Sequence, residues 1–261
     1  MEKHYTVQVQ QQVQDLVDDL KAVFTHAGLG GEAGEYKLLT QSFLYKFLND
    51  KFLYEALIID ESYDYVGLLD LSEEDYEWFL DDIGTKTAHL KPAQLIESLH
   101  RQQNQADFAE IFEQTLNQIA IDNNAIFSVH TEGGTDIRLF DQRLLTDTIS
   151  DASKRKEVAT SIINLLARVK FDQQIFSQGF DFFSTLFEYM IKDYNKDGGG
   201  KYAEYYTPHS VAKIIAAILV GNDQPSNVKI YDPSAGSGTL LMNLASQIGT
   251  DRASVYSQDI S

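Results

Sequence analysis

Apolar residues recur at intervals of three and four along most of the chain as far as residue 194, and a short β-prone run appears only at Asn227. A period near 3.6 lines such residues up on one helix face, so most of this protein is predicted to be helical, with little strand before residue 225. Val13, Leu16, Val17, Leu20 and Phe24 mark an amphipathic helix over 6–25, which the stretch Gly28 to Gly34 ends. A second helix is predicted over 35–48, where Leu39, Phe43, Leu44, Phe47 and Leu48 make a stripe wide enough for the centre of a bundle. Further helices are predicted over 73–82, 92–102, 106–121, 141–149, 157–169 and 181–194. The polar stretch Thr146 to Lys156 is the candidate internal break, and the three glycines ending Asn195 to Gly200 mark a loop.

After residue 225 the pattern changes. Asn227 to Tyr231 reads as a strand, a glycine loop follows, a helix runs from about Thr239 to Ile248, and Ser254 to Gln258 reads as a second strand. Strand, loop, helix, strand is the opening of a doubly wound α/β domain. The fold class is therefore mostly α: a helical N-terminal domain over 1–168, then the start of an α/β domain over 169–261.

Composition narrows the setting. A hydrophobic share of 43 % suffices for packed cores. The absence of cysteine excludes disulfides and thiolate metal sites and suits a reducing cytoplasm. The N-terminus lacks the apolar core of a signal peptide, and the longest apolar run, Ile214 to Val220, is far too short to span a bilayer, so no membrane is expected. A net charge of −18 argues against a free-standing DNA binder, which would present a basic face to phosphates. Asp60 to Asp82 holds ten carboxylates and no lysine or arginine. Two readings stand: a solvated surface with acids at a helix N-terminus capped by Ser72, or a patch that docks a basic partner or mimics DNA. Lys154-Arg155-Lys156, Arg168 and Lys170 are too few for a DNA-binding stripe. The six histidines show no paired ligand spacing, so no metal is expected.

Two motifs carry the chemistry. In Asp232-Pro-Ser-Ala-Gly-Ser-Gly-Thr239, Gly236 and Gly238 let the backbone turn sharply and approach a ligand above the strand end. A dinucleotide fingerprint would place glycine or alanine at position 241, where Leu241 stands. A ligand with an adenosine and a sulfonium fits such a loop better than one with a pyrophosphate, although a purely structural turn reads the same way. Asp259, about twenty residues beyond the loop, is placed either to accept hydrogen bonds from ribose hydroxyls or as a solvated strand-end carboxylate. In Glu204-Tyr-Tyr-Thr-Pro-His209, Thr207 is a natural N-cap and Pro208 a natural first helical residue, so a plain capped helix with two core tyrosines competes with a binding role.

In this order the two motifs resemble those of the DNA amino-methyltransferases that act on adenine. More narrowly, the chain is similar to the modification subunit of type I restriction–modification systems, and Glu35-Tyr-Lys37 leading into the Phe43 to Phe52 helix resembles that family's helical N-terminal domain. The resemblance implies that Glu204, Tyr205, Tyr206, Thr207, Pro208 and His209 line the methionine end of S-adenosylmethionine. It implies that Asp232, Gly236, Ser237, Gly238 and Thr239 form the loop beneath the cofactor, and that Asp259 holds the ribose. Partners implied are DNA, a specificity subunit and a restriction subunit. The family's chemical motif, an Asn, Asp or Ser followed by two prolines and an aromatic residue, has no counterpart among the four prolines, of which no two adjoin. No catalytic residue is therefore assigned, and the chain reads as the N-terminal part of a longer enzyme, inactive by itself. The alternatives are a helical docking scaffold without cofactor, or a methyltransferase of another substrate class.

Overall fold

A computed structural model describes residues 2–31, 33–127, 129–130, 136–171, 176, 207–222, 225–236, 238–249 and 251–259. The chain divides into two compact units, Met1–Phe180 and Asp181–Ser261. The helix predicted at 181–194 and the loop at 195–200 lie outside the described residues.

The first unit is a helical bundle. Its long helices are α1 (Glu2–His26), α2 (Ala33–Ile59), α4 (Glu73–Ile83), α6 (Phe108–Asp122) and α9 (Ala152–Arg168), with shorter α3 (Tyr65–Asp70), α5 (Ile96–Gln102), α7 (Asn124–Phe127) and α8 (Leu144–Thr148). α9 packs on α1, α2, α5 and α6, and α2 packs on α1, α4 and α8. Phe24, Phe43, Tyr45, Phe52, Phe108, Phe112 and Phe140 fill the core, each fully buried, and Tyr45 meets Phe112 edge to face at 6.3 Å. Burial raises the Tyr45 hydroxyl above the ordinary tyrosine range, and that hydroxyl donates to the Gln94 carbonyl at 2.7 Å.

α2 runs eleven residues past the predicted end at Leu48, to Ile59. It is enclosed on several sides, so polar residues on it are buried too, and one-sided periodicity fades along its second half. Lys46 and Asp50 form a buried ion pair at 2.9 Å, and the same Asp50 carboxylate accepts from the Phe171 amide at 3.1 Å. The helix predicted over 92–102 is broken at Leu95, whose ψ of 146° leaves a short 3-10 turn, Pro92–Gln94, before α5. The break frees the Ile96 amide to donate to the Asn49 side chain at 2.9 Å. A two-residue antiparallel pair, β1 (Val129–His130) with β2 (Asp136–Ile137), carries no sequence signal.

Thr146 to Lys156 is not a break between units. Arg155 donates to the carbonyls of Ile149 and Thr146, and Lys154 donates to the Ala27 carbonyl, so the basic cluster closes helix ends within the bundle. α9 starts at Ala152, earlier than predicted, because Asp151 caps it by accepting from the Ser153 amide at 3.0 Å. The acidic run is used the same way: Ser72 accepts from the Asp75 amide at the start of α4, and Asp64 accepts from Val66 and Gly67 at the start of α3.

The second unit holds α10 (His209–Val220), β3 (Val228–Asp232), α11 (Thr239–Ile248) and β4 (Ala253–Ser257). β3 and β4 pair in parallel, with Val228 opposite Ala253 and Asp232 opposite Ser257. α11 packs on α10 and on both strands. Val220, Ile230, Leu241, Ala245 and Ile248 make the small core. α11 begins and ends at the predicted residues, because Gly238 and Gly249 bound it with positive φ.

Candidate functional site

The loop from Asp232 to Thr239 leaves the C-terminal end of β3 and delivers the chain into α11. Ile230 pulls the strand into the core while Asp232 turns the chain at its end, accepting from the Ser234 amide at 2.9 Å. Gly236 and Gly238 then take φ of 52° and 74°, a conformation that side chains with a Cβ resist.

The end of β4 fixes this loop at three points. The Gln258 amide donates to the Asp232 carbonyl at 3.0 Å, and the Ala235 amide donates to the Gln258 carbonyl at 3.0 Å. The Gly236 amide donates to the Asp259 carboxylate at 2.7 Å. Tyr231 adds a side-chain clasp, its hydroxyl donating to Gln258 at 2.9 Å. Asp259 thus meets the glycine loop directly, across 23 residues of sequence. A Cβ built on Gly238 would touch nothing within 4 Å, so no described neighbour crowds the loop at that position.

The Thr-Pro motif enters the same unit. The expected cap is displaced by one residue: α10 starts at His209, and Pro208 rather than Thr207 holds the cap position with ψ of 134°. A residue before proline is pushed toward extended backbone, which keeps Thr207 outside the helix. The Pro208 carbonyl accepts from the Val211 amide at 2.9 Å and from the Ala212 amide at 3.1 Å, and among the described residues no side chain caps the helix. His209 then meets Asn243 of α11, Nδ1 to Nδ2, at 3.1 Å. Of the sequence-derived site residues, Thr207, Pro208, His209, Asp232, Gly236, Gly238, Thr239 and Asp259 fall in this unit's described part, whereas Glu204, Tyr205, Tyr206 and Ser237 lie outside the described residues.

Sequence reasoning missed Gln258 and Asn243. Gln258 acts largely through its main chain, which leaves no residue-type signal. Asn243 carried one: asparagine is unfavourable within a helix unless its side chain has a job there.

A glycine turn at the carboxyl end of a parallel strand, with an acid at the end of the next, lies where doubly wound α/β folds bind their ligands. Residues 178–261 match the family described as N-6 DNA Methylase. Over 189 residues the chain is 24 % identical to the type I restriction enzyme MpnII methylase subunit of Mycoplasma pneumoniae, covering 68 % of this chain and 34 % of that protein. Its fold matches the crystal structure of the type I restriction–modification methyltransferase subunit from Streptococcus thermophilus with a TM-score of 0.66 at 18 % identity, over 98 % of this chain and 53 % of that one. The chain thus spans about a third of the curated relative and about half of the solved subunit. The match to the N-6 DNA Methylase family is thus confined to the C-terminal segment, and over more of its length the chain is similar to type I modification subunits.

Proposed function

We propose that this chain is the N-terminal part of an S-adenosylmethionine-dependent adenine-N6 DNA methyltransferase subunit of a type I restriction–modification complex. The observation that supports it best is the loop pinned to β4, with Asp259 bonded to Gly236 at 2.7 Å and open space above Gly238. In this reading residues 1–168 form a helical domain and 169–261 begin the methyltransferase domain. DNA, a specificity subunit and a restriction subunit are the partners, in the cytoplasm. Among the described residues no helix is long and apolar enough to cross a membrane.

The residues fit the cofactor chemically. Asp259 is an acceptor suited to ribose hydroxyls, the glycine loop admits close approach, and residues 204–209 serve the methionine end. When bound, S-adenosylmethionine supplies an electrophilic methyl on a sulfonium. The work of these residues is to hold and orient it, so that a flipped adenine presented by the rest of the enzyme meets the methyl in line. The chain by itself holds the cofactor half of such a site and does not methylate.

Calorimetric titration with S-adenosylmethionine tests this. Binding is expected to be weak or absent in this chain and measurable in a form extended to its relatives' length; no binding in the longer form defeats the assignment. Gly238→Leu in that form should abolish binding while leaving the helical unit folded. Unaltered affinity would show that the loop is not where the cofactor sits.

A further inference from the structure

Asn243 is 8 % exposed and lies on α11 one turn beyond the glycine loop. Its amide nitrogen is within 2.8 Å of the Thr239 carbonyl and 3.1 Å of His209 Nδ1. A carbonyl only accepts, so the Thr239 contact decides which end of the amide faces this way: it is the NH2 group, with two hydrogens to give. His209 Nδ1 is then left no choice. Facing a group that can only donate, it must accept with its lone pair, which makes the ring neutral and puts its hydrogen on Nε2.

The two bonds reach two different motifs. Thr239 ends the glycine loop, and His209 ends the Thr-Pro motif, 30 residues away in sequence. One buried side chain therefore ties both, where the first turn of α10 passes the first turn of α11. Buried amides are held tightly, because a donor left without a partner costs about 1–3 kcal/mol.

We propose that Asn243 is a positioning residue for the cofactor site: it sets the spacing between the glycine loop and the Thr-Pro motif and holds His209 as the neutral tautomer protonated at Nε2. The role rests on the cofactor reading above; the tautomer does not. Asn243 need touch no part of the cofactor. It acts through His209 and Thr239, which keeps the residues assigned to the methionine end and those beneath the cofactor in one register.

Asn243→Asp is the decisive variant. It keeps the size of the side chain but turns the donor into an acceptor, which repels the Thr239 carbonyl and calls for a proton on His209 Nδ1. Ring nitrogen NMR shifts of His209, assigned by comparison with His209→Asn, read the tautomer without any cofactor. The wild type should show the Nε2–H form, and Asn243→Asp should place a proton on Nδ1. In the protein at its relatives' length, the variant's S-adenosylmethionine affinity should fall about tenfold, the loss of one buried hydrogen bond.

A side chain that merely fills space would move neither reading. If Asn243→Asp does not fold, the other side of the bond decides: His209→Asn keeps an acceptor near the Nδ1 position and should bind cofactor more tightly than His209→Leu. An Nδ1–H ring in the wild type, wild-type affinity in Asn243→Asp, or equal affinities for the two His209 variants each overturn the proposal. A wild-type protein that binds no S-adenosylmethionine at all overturns the functional reading, and the positioning role with it, while the tautomer result still reports whether the amide geometry is as described.

Discussion

In the helical unit Phe43, Phe52 and Phe112 are at 0 % exposure, although Trp78 reaches 66 %; in the α/β unit Ile214 is 60 % exposed, Ile218 74 %, Leu219 66 % and Tyr231 60 %. Both units obey the same physics with different amounts of buried apolar surface. The bundle closes its apolar faces against one another, α9 against α1, α5 and α6. The α/β unit buries one face of α10, through Ala212, Ala216 and Val220, and leaves Val211, Ile214, Ile215, Ile218 and Leu219 outward. Parallel sheets are stable when many strands are covered on both faces, and the described sheet here has two strands. The contrast teaches that the helical unit owes its stability to its own core, whereas the glycine loop sits on a layer whose packing is thin.

The sharpest test of that contrast compares two apolar residues. Phe112→Ala should cost about 4 kcal/mol of bundle stability in urea unfolding. Hydrogen exchange at the Ile230 amide should stay unchanged; a parallel loss of protection there would show that the units unfold together. Next in size is Lys46→Met. Burial holds the Lys46 ammonium below the ordinary lysine range against the opposing pull of Asp50, and its side chain is 3 % exposed. Removing it leaves Asp50 with the neutral donors Asn49 and Phe171 among the described residues, at an expected cost of about 3 kcal/mol. Replacing Asp50 with Leu in the same background should recover much of the loss, and no recovery would mean that packing, not charge, was lost.

Ile218→Ala should change stability by no more than about 0.5 kcal/mol, since the side chain already faces water. A larger loss would place a covering element over α10 and weaken the comparison. The smallest effect concerns pH. The Ser153 hydroxyl and amide hold the Asp151 carboxyl below the ordinary carboxylate range. A lowered folded-state pKa stabilises above the unfolded value, and that contribution is lost as pH falls through the folded one. Asp151→Asn keeps the cap but cannot titrate, so its urea midpoint should fall less steeply than the wild type's below about pH 4.

The parts of the fold legible in the sequence were those with local causes. The α11 bounds followed from Gly238 and Gly249, the α4 cap from Ser72, and the parallel strands from two β-prone runs on either side of a helix. Where the cause was distant the sequence misled. Pro92 to Gln102 has helical spacing throughout, yet Leu95 is extended because Asn49 and Tyr45, more than forty residues earlier, bond the chain on either side of it. The second half of α2 hid for the opposite reason, since a helix enclosed on several sides loses its one-sided pattern.

The candidate site divides the same way. Glycines at 236 and 238, an acid at 259 and a Thr-Pro pair at 207 and 208 are residue types chosen for backbone freedom, charge and helix entry, and such choices show in a sequence because each acts on its own neighbours. That Asp259 bonds Gly236, that Gln258 brackets the loop through its main chain, and that Asn243 reaches His209 were decided only by tertiary structure. These are contacts between elements, and a hydrogen bond across 23 or 34 residues depends on how strands and helices pack, which no local pattern encodes.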